Sequence, residues 1–285
     1  MTIQWFPGHM TRAKRQMQEA IKTVDMVIEI RDSRIPNASK NPMIDQLIQN
    51  KPRLILLSKK DKGDLQAIDE WIKYLTNETT LVLTIDFLHD NVIEIIVKAC
   101  KQIMKAKIDK QISRGIRPRA IRAMVVGIPN VGKSTLINRI AKKKVTETAN
   151  KPGVTRALQW IKLNKDLELL DTPGVLWPKF EDQEVGYYLA LTGAIRDEVL
   201  NLEEIAAFAM KKMIAEYPNN IKDLYGIEVQ DNPYEMIEEI GRVKKLIRTN
   251  NEVDYKRAVE YFIHDLRDDN CGRITWEKVH DQTNK

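Results

Sequence analysis

Residues 127–134 read GIPNVGKS, and this stretch decides the fold. It satisfies G-x-x-x-x-G-K-[ST], with the apolar run MVV (124–126) before it and TLINRIA (135–141) after it. A strand, a glycine-bounded loop and a helix start, in that order, build a cradle for phosphate groups. Loop N–H groups over Asn130, Val131, Gly132, Lys133, Ser134 and Thr135 are expected to face the α- and β-phosphate oxygens. Lys133 reaches the β- and γ-phosphates as a point charge, and Ser134 offers its hydroxyl to Mg²⁺.

Working downstream, DTPG (171–174) follows the strand-like run LELL (167–170). Asp171 is expected to hold Mg²⁺ through a water. The Gly174 N–H can face a γ-phosphate because no side chain blocks the approach. Between the two motifs lies PGVT (152–155), whose Thr155 could close over metal and γ-phosphate only when that phosphate is present. Read alone, DTPG is an ordinary strand-ending turn. Following a phosphate loop, it is the second phosphate-side element.

Working upstream, SKKD (58–61) follows RLILL (53–57). Guanine-binding loops usually read [NT]-K-x-D. There the Asp carboxylate accepts two hydrogen bonds from guanine, a pair that adenine cannot supply, and the Lys stem lies on the base. Lys59 and Asp61 fit this pattern, Lys60 fills the variable place, and Ser58 keeps a hydroxyl but loses the reach of Asn. A second loop follows LVLTID (81–86), and there Asp86 and Phe87 are expected as base-side lining.

The base loops therefore precede the phosphate loop, the reverse of the common order. Parallel strands carry all such loops at their C-terminal ends, so one sheet can be built from either starting strand. The expected fold is an α/β three-layer P-loop sandwich, circularly permuted, over residues 1–178. The old termini are joined near 98–122, and an all-helical domain fills 179–285. Helical periodicity there marks 184–195, 202–217, 233–247 and 255–267, with Pro218 and Pro233 as punctuation. Tyr187, Tyr188, Phe208 and Tyr261 are expected to pack between these helices.

WFPGHM (5–10), DSRIP (32–36), NP (41–42), IPNVGKST (128–135), PGVT and LLDTPGVLWPK (169–179) together resemble the YlqF-type ribosome biogenesis GTPase A family. The resemblance spans nearly the whole chain. It implies a GTPase that binds GTP and GDP with Mg²⁺ and acts in late assembly of the large ribosomal subunit. It implies that subunit and its rRNA as partners, with ribosomal proteins as a further class. On this view the chain binds rRNA in the GTP state and leaves after hydrolysis. The alternative is a nucleotide-gated placeholder on RNA with little hydrolysis of its own. Many GTPases place a Gln after Asp-x-x-Gly to orient water. This chain has Val175 there, so catalytic help must come from elsewhere. His9 is the expected catalytic residue, by its ordinary near-neutral pKa and by the same resemblance. The competing reading makes 5–10 a turn-and-cap segment. Asn130 matches a place where some GTPases hold K⁺, so K⁺ joins Mg²⁺ as an expected cation.

Composition sets the remaining bounds. The chain has 285 residues and a net charge of +6. It holds no run of about 18 apolar residues, and its N-terminus lacks an apolar secretory core. A cytoplasmic monomer without membrane contact is expected, with Cys100 and Cys271 as inert thiols. The charge is uneven. Residues 179–285 hold 15 basic and 22 acidic residues, against 31 and 18 in 1–178. The densest basic stretch is 98–122, with nine basic residues against Asp109 alone, and RNA phosphates are its natural partner. A helix through Lys98, Lys101 and Lys105 would put these on one face. In the helical part Arg242, Lys244, Lys245 and Arg248 are the local candidates for RNA contact. Deleting 179–285 is expected to leave nucleotide binding nearly intact.

Overall fold

The computed structural model describes residues 8–48, 50–142, 158–177, 180, 182–195, 201–249 and 251–283. Its strands are β1 (Met26–Asp32), β2 (Arg53–Ser58), β3 (Thr80–Ile85), β4 (Ile121–Val126), β5 (Gln159–Lys162) and β6 (Leu167–Asp171). They form one sheet in the order β3-β2-β1-β4-β6-β5. All neighbours pair in parallel except β5, which closes one edge antiparallel to β6. β5 was not expected, and its four residues are largely exposed.

β1 is buried along its whole length, as a central parallel strand must be. Its three charged residues are therefore paired, Asp32 with Arg34 and Lys59. Glu29 accepts from Arg31 Nε at 2.9 Å and from Arg53 Nη1 at 3.0 Å.

Helix α3 (Leu65–Leu75) starts at Asp64, whose carboxylate accepts from the Gln66 N–H at 3.0 Å. The helix lays Ile68 and Trp71 over Ile55, Leu57 and Val82. Helix α4 (Val92–Ile103) ends at Met104, where the backbone leaves helical ψ (4°) and the side chain turns into the core. Helix α5 (Lys105–Ser113) then begins anew. The expected continuous face through Lys98, Lys101 and Lys105 is thus interrupted: the first two lie on α4 and the third opens α5. Helix α5 buries none of its residues.

The chain divides into two compact units, Trp5–Pro178 with Glu277–Lys285, and Lys179–Trp276. The second unit contains α7 (Gln183–Leu191), α8 (Leu202–Glu216), α9 (Pro218–Tyr225), α10 (Pro233–Val243) and α11 (Tyr255–Arg267), while α6 (Lys133–Lys142) belongs to the first. Pro218 separates α8 from α9 and itself opens α9, because proline at the first helical position gives up only an N–H that would be unbonded anyway. The core joins Met210 and Met213 of α8 to Ile237 and Ile240 of α10 and Phe262 of α11. Tyr187 and Tyr188 pack on Phe208 with ring centroids 5.1 Å and 5.4 Å away. Both cysteines are buried free thiols pushed up to about 12 by burial, so neither is a thiolate near neutral pH.

One boundary differs from the expectation. The helical part was expected to run to 285, yet residues from Glu277 onward pack with the sheet unit. The Glu277 carboxylate, 3% exposed, accepts from the backbone N–H groups of Asn37 (2.8 Å) and Ala38 (3.0 Å). The Glu277 carbonyl accepts from Trp71 Nε1 at 2.9 Å. Lys278 pairs with Asp64, the cap of α3, at 3.2 Å. Val279 packs against the Trp71 cluster, and α12 (His280–Thr283) follows. A deletion of 179–285 removes this strap as well, so it is no test of the helical unit alone.

Candidate nucleotide site

Because five strands are parallel, their C-terminal ends share one edge of the sheet. Register places Asp32 beside Ser58, Ser58 beside Ile85, and Val125 beside Asp171. The loops that leave these strands carry 32–36, 58–61, 86–87, 127–134 and 171–174. The motifs singled out in the sequence therefore converge, although they lie far apart along the chain.

The phosphate loop leads into α6 (Lys133–Lys142). Lys133 is 8% exposed, and its ammonium donates to the carbonyls of Gly127 and Ile128, both at 2.8 Å. Burial pulls its pKa down to about 8, against the opposing attraction of Asp171. Ser134 and Thr135 are exposed in the first turn of α6. Asn130 is exposed at φ 59°, a left-handed conformation that Asn tolerates better than most residues. Gly132 sits at φ 102°, and a Cβ there would meet Phe87 Cε2 at 3.0 Å. Phe87 is thus buried against the phosphate loop, which corrects its expected place beside the base.

Gly174 closes in from the other side. A Cβ on it would lie 2.8 Å from Lys133 Nζ and 3.2 Å from Pro129 Cα. Asp171 is buried at the end of β6, and Thr172 donates to the Val125 carbonyl at 2.7 Å. Among the described residues no group of three or more His, Cys, Asp or Glu assembles. That suits Mg²⁺ in a nucleotide site, where one or two side-chain oxygens suffice and phosphates and waters complete the octahedron. The donor set of the Ser134 hydroxyl and the Asp171 carboxylate fits the ion on these grounds.

On the base side, Ser58 is fully buried. Its hydroxyl lies 2.7 Å from the Val131 carbonyl and 3.0 Å from the Arg31 carbonyl. It ties β2 to the phosphate loop, and so does not face a ligand as expected. Lys59 Nζ donates to Asp32 Oδ2 at 2.8 Å, and Lys60 Nζ to Asp90 at 2.6 Å. The Asp61 side chain is exposed, and no described residue bonds it. Asp86 is engaged in its own turn, accepting from the Leu88 N–H at 2.7 Å and meeting His89 Nδ1 at 2.6 Å. Partial burial opposes ionisation there, but these bonds hold the carboxyl below its usual value. It shapes the 86–90 loop.

Sequence reasoning missed two residues here. Asn41 donates from Nδ2 to the Val175 carbonyl at 2.8 Å and accepts from the Met43 N–H at 3.0 Å. Asn-Pro ahead of α2 (Pro42–Ile48) reads as a helix cap, and nothing local points across to residue 175. Asp32 is the other. His9 lies in the first turn of α1 (Gly8–Ala20), and its side chain falls outside the described residues. Thr155 lies outside them altogether.

A parallel sheet with a phosphate loop after β4, an Asp-x-x-Gly loop after β6 and a base loop after the earlier strand β2 defines a circularly permuted P-loop GTPase. The comparisons with known proteins agree. The family model for 50S ribosome-binding GTPases matches residues 122–239. Ribosome biogenesis GTPase A of Bacillus cereus is 47% identical over 278 residues, covering 97% of this chain and 94% of that protein. Its namesake from Priestia megaterium is 46% identical, covering 97% of each. A solved GDP-bound YlqF structure superposes with a TM-score of 0.67 at 24% identity, covering 94% of this chain and 100% of that one. The chain belongs to the ribosome biogenesis GTPase A family and is a GTPase.

Proposed function

We propose that guanine nucleotides bind along this sheet edge and gate attachment to the large ribosomal subunit through its rRNA in the cytoplasm, with release after hydrolysis. One observation carries the nucleotide part: phosphate loop, Asp-x-x-Gly loop and base loop meet at the ends of neighbouring parallel strands. In this reading the loop N–H groups of 130–135 and Lys133 hold the phosphates. Gly174 senses the γ-phosphate, and Asp61 reads the base while Lys59 lies along it. Ser134 and Asp171, with Thr155, would hold Mg²⁺, which supplies charge neutralisation between the β- and γ-phosphates.

The RNA part rests on α5 and the turn after it. Of the nine basic residues in 98–122, Lys101, Lys107, Arg119 and Arg122 pair with carboxylates. Lys105, Lys110, Arg114 and Arg117 are exposed on a segment that packs little of its own surface. Unpaired basic side chains on such a helix suit phosphate backbones. In the helical unit Arg242 pairs with Glu238 and Glu239, Arg248 pairs with Asp254, and Lys244 lies over Tyr225 and Tyr261. That leaves exposed Lys245 as the best of the four earlier candidates.

Co-sedimentation with large subunits tests the proposal. Binding is expected with a non-hydrolysable GTP analogue and not with GDP. Reversing Lys105, Lys110 and Arg114 to Glu should weaken it by at least about tenfold and flatten its salt dependence. Equal binding in both nucleotide states would sink the gating claim.

A second reading, the slow placeholder, is favoured by Val175. It is fully buried where other GTPases present a glutamine, and its carbonyl is held by Asn41. No polar side chain orients water from that position. We propose that His9 and a K⁺ ion at Asn130 supply the missing help. Turnover with subunits present should run about tenfold faster in KCl than in NaCl and should fall on His9→Ala at unchanged nucleotide affinity. Identical rates in both salts would remove K⁺ from the account.

A further inference from the structure

The motif DSRIP is the one sequence signature that the nucleotide reading leaves without a task. The structure places its first residues under the base loop. Asp32 is 2% exposed, and its Oδ2 accepts from Lys59 Nζ at 2.8 Å and from Arg34 Nη2 at 2.9 Å. The Ser33 N–H donates to the Ser58 carbonyl at 3.0 Å, and the Ser33 hydroxyl donates to the Lys59 carbonyl at 2.8 Å. That carbonyl also accepts from the Lys62 N–H at 3.0 Å, closing the turn in which Asp61 sits. Lys59 itself holds φ 57°, a left-handed conformation that persists in a bulky residue only when its surroundings over-determine it. Ser58 cannot supply that hold, because its hydroxyl is turned inward to Val131 and Arg31.

We propose that Asp32 and Ser33 are positioning residues for base selection: they fix Lys59 and the 59–62 turn, and so set the preference for guanine over adenine. The proposal rests on the reading of 58–61 as the base loop. The geometry explains how a loop with Ser in place of Asn or Thr keeps its shape. The side chain that would have fixed the turn from within is replaced by a hydroxyl from the loop that leaves β1, and the lysine is aimed by a buried carboxylate. Asp32 is itself held in place. Asp32 N–H donates to Ser39 Oγ at 3.1 Å, and the Arg34 N–H donates to Asp32 Oδ1 at 3.0 Å. Burial works against the Asp32 charge, yet Arg34 and Lys59 hold its carboxyl far below the usual range, so it stays ionised at any pH where the protein is studied.

The experiment is competition of GDP and ADP against a fluorescent GDP analogue on the full chain, with thermal midpoints measured alongside. Asp61→Ala should cut the guanine preference by about a hundredfold, the loss expected for charge-assisted bonds to a ligand. Ser33→Ala should cut it by about fivefold, and should cause no further loss when added to Asp61→Ala, because both act on one contact. Asp32→Asn and Lys59→Met should each weaken GDP by about tenfold, and the double variant no more than either alone. Asp32→Asn leaves Arg34 buried against a neutral group, so if it fails to fold, Ser33→Ala decides the matter. An intact guanine preference in Asp61→Ala overturns the base-loop reading itself. A collapsed preference in Asp61→Ala with Ser33→Ala within twofold of the parent overturns only the bracing role. A lower thermal midpoint with an unchanged guanine-to-adenine ratio overturns it too.

Discussion

Lys133→Met is expected to weaken GTP binding by at least about a hundredfold, since charge-assisted bonds to phosphate are among the strongest polar contacts a protein makes. The surroundings of Lys133 already show what the ammonium is built for. It is nearly buried, donates to two loop carbonyls, and carries a pKa pulled down to about 8. A triphosphate brings negative charge to this group and must raise that pKa. Below pH 8 the ammonium is charged before and after binding, and affinity should be flat. Above pH 8 the free protein loses the proton and must take one up to bind. Affinity should then fall by about tenfold per pH unit until the pKa of the complex is reached. Isothermal titration between pH 7 and 9.5 checks both parts: the parent should show the decline, and Lys133→Met should show none across the same range. A decline that persists in the variant would assign the proton to another group.

Truncation after Trp276 is the second large effect. It removes the carboxylate that bonds Asn37 and Ala38, the acceptor for Trp71 Nε1, the partner of Asp64 and the packing of Val279. Hydrogen bonds to a buried charge are worth about 1.5–3 kcal/mol each, and Trp71 loses the acceptor for its indole N–H. The truncated chain is expected to lose several kcal/mol, and its melting midpoint should fall by about 10 °C or more. Glu277→Ala should lose about half as much by itself. GDP affinity should drop in both, because Asn37 and Ala38 follow directly on the 32–36 loop. A midpoint within about 2 °C of the parent after truncation would show the strap to be ornamental.

Much of the nucleotide edge was legible in the sequence because its signals are local. GIPNVGKS and DTPG state their own backbone conformations through glycine, and the runs before them state strands. What was not legible depends on pairs far apart in the chain. Ser58 looked like a weak base contact, whereas its hydroxyl answers to a carbonyl 73 residues later. Phe87 looked like base lining, and it packs on Gly132. Asn41 reaches Val175 across 134 residues, and Glu277 reaches Asn37 across 240. No period or spacing encodes such contacts. The break at Met104 was misread, and the short helix after Pro218 missed, for a different reason. Periodicity marks helical stretches better than their ends, and a proline serves equally to stop one helix and to start the next.

The return of the chain at Glu277 has a consequence for how the molecule is made. Translation delivers strands and loops first, then the entire helical unit, and only afterwards the strap that caps the 37–38 turn and steadies α3. Refolding and biosynthesis should therefore differ from those of a GTPase whose sheet needs no bracing from residues beyond its neighbour. The contacts of Glu277 with Asn37, Ala38 and Trp71 can form only once the ribosome has read past codon 277, so this bracing arrives together with the helical unit and never ahead of it.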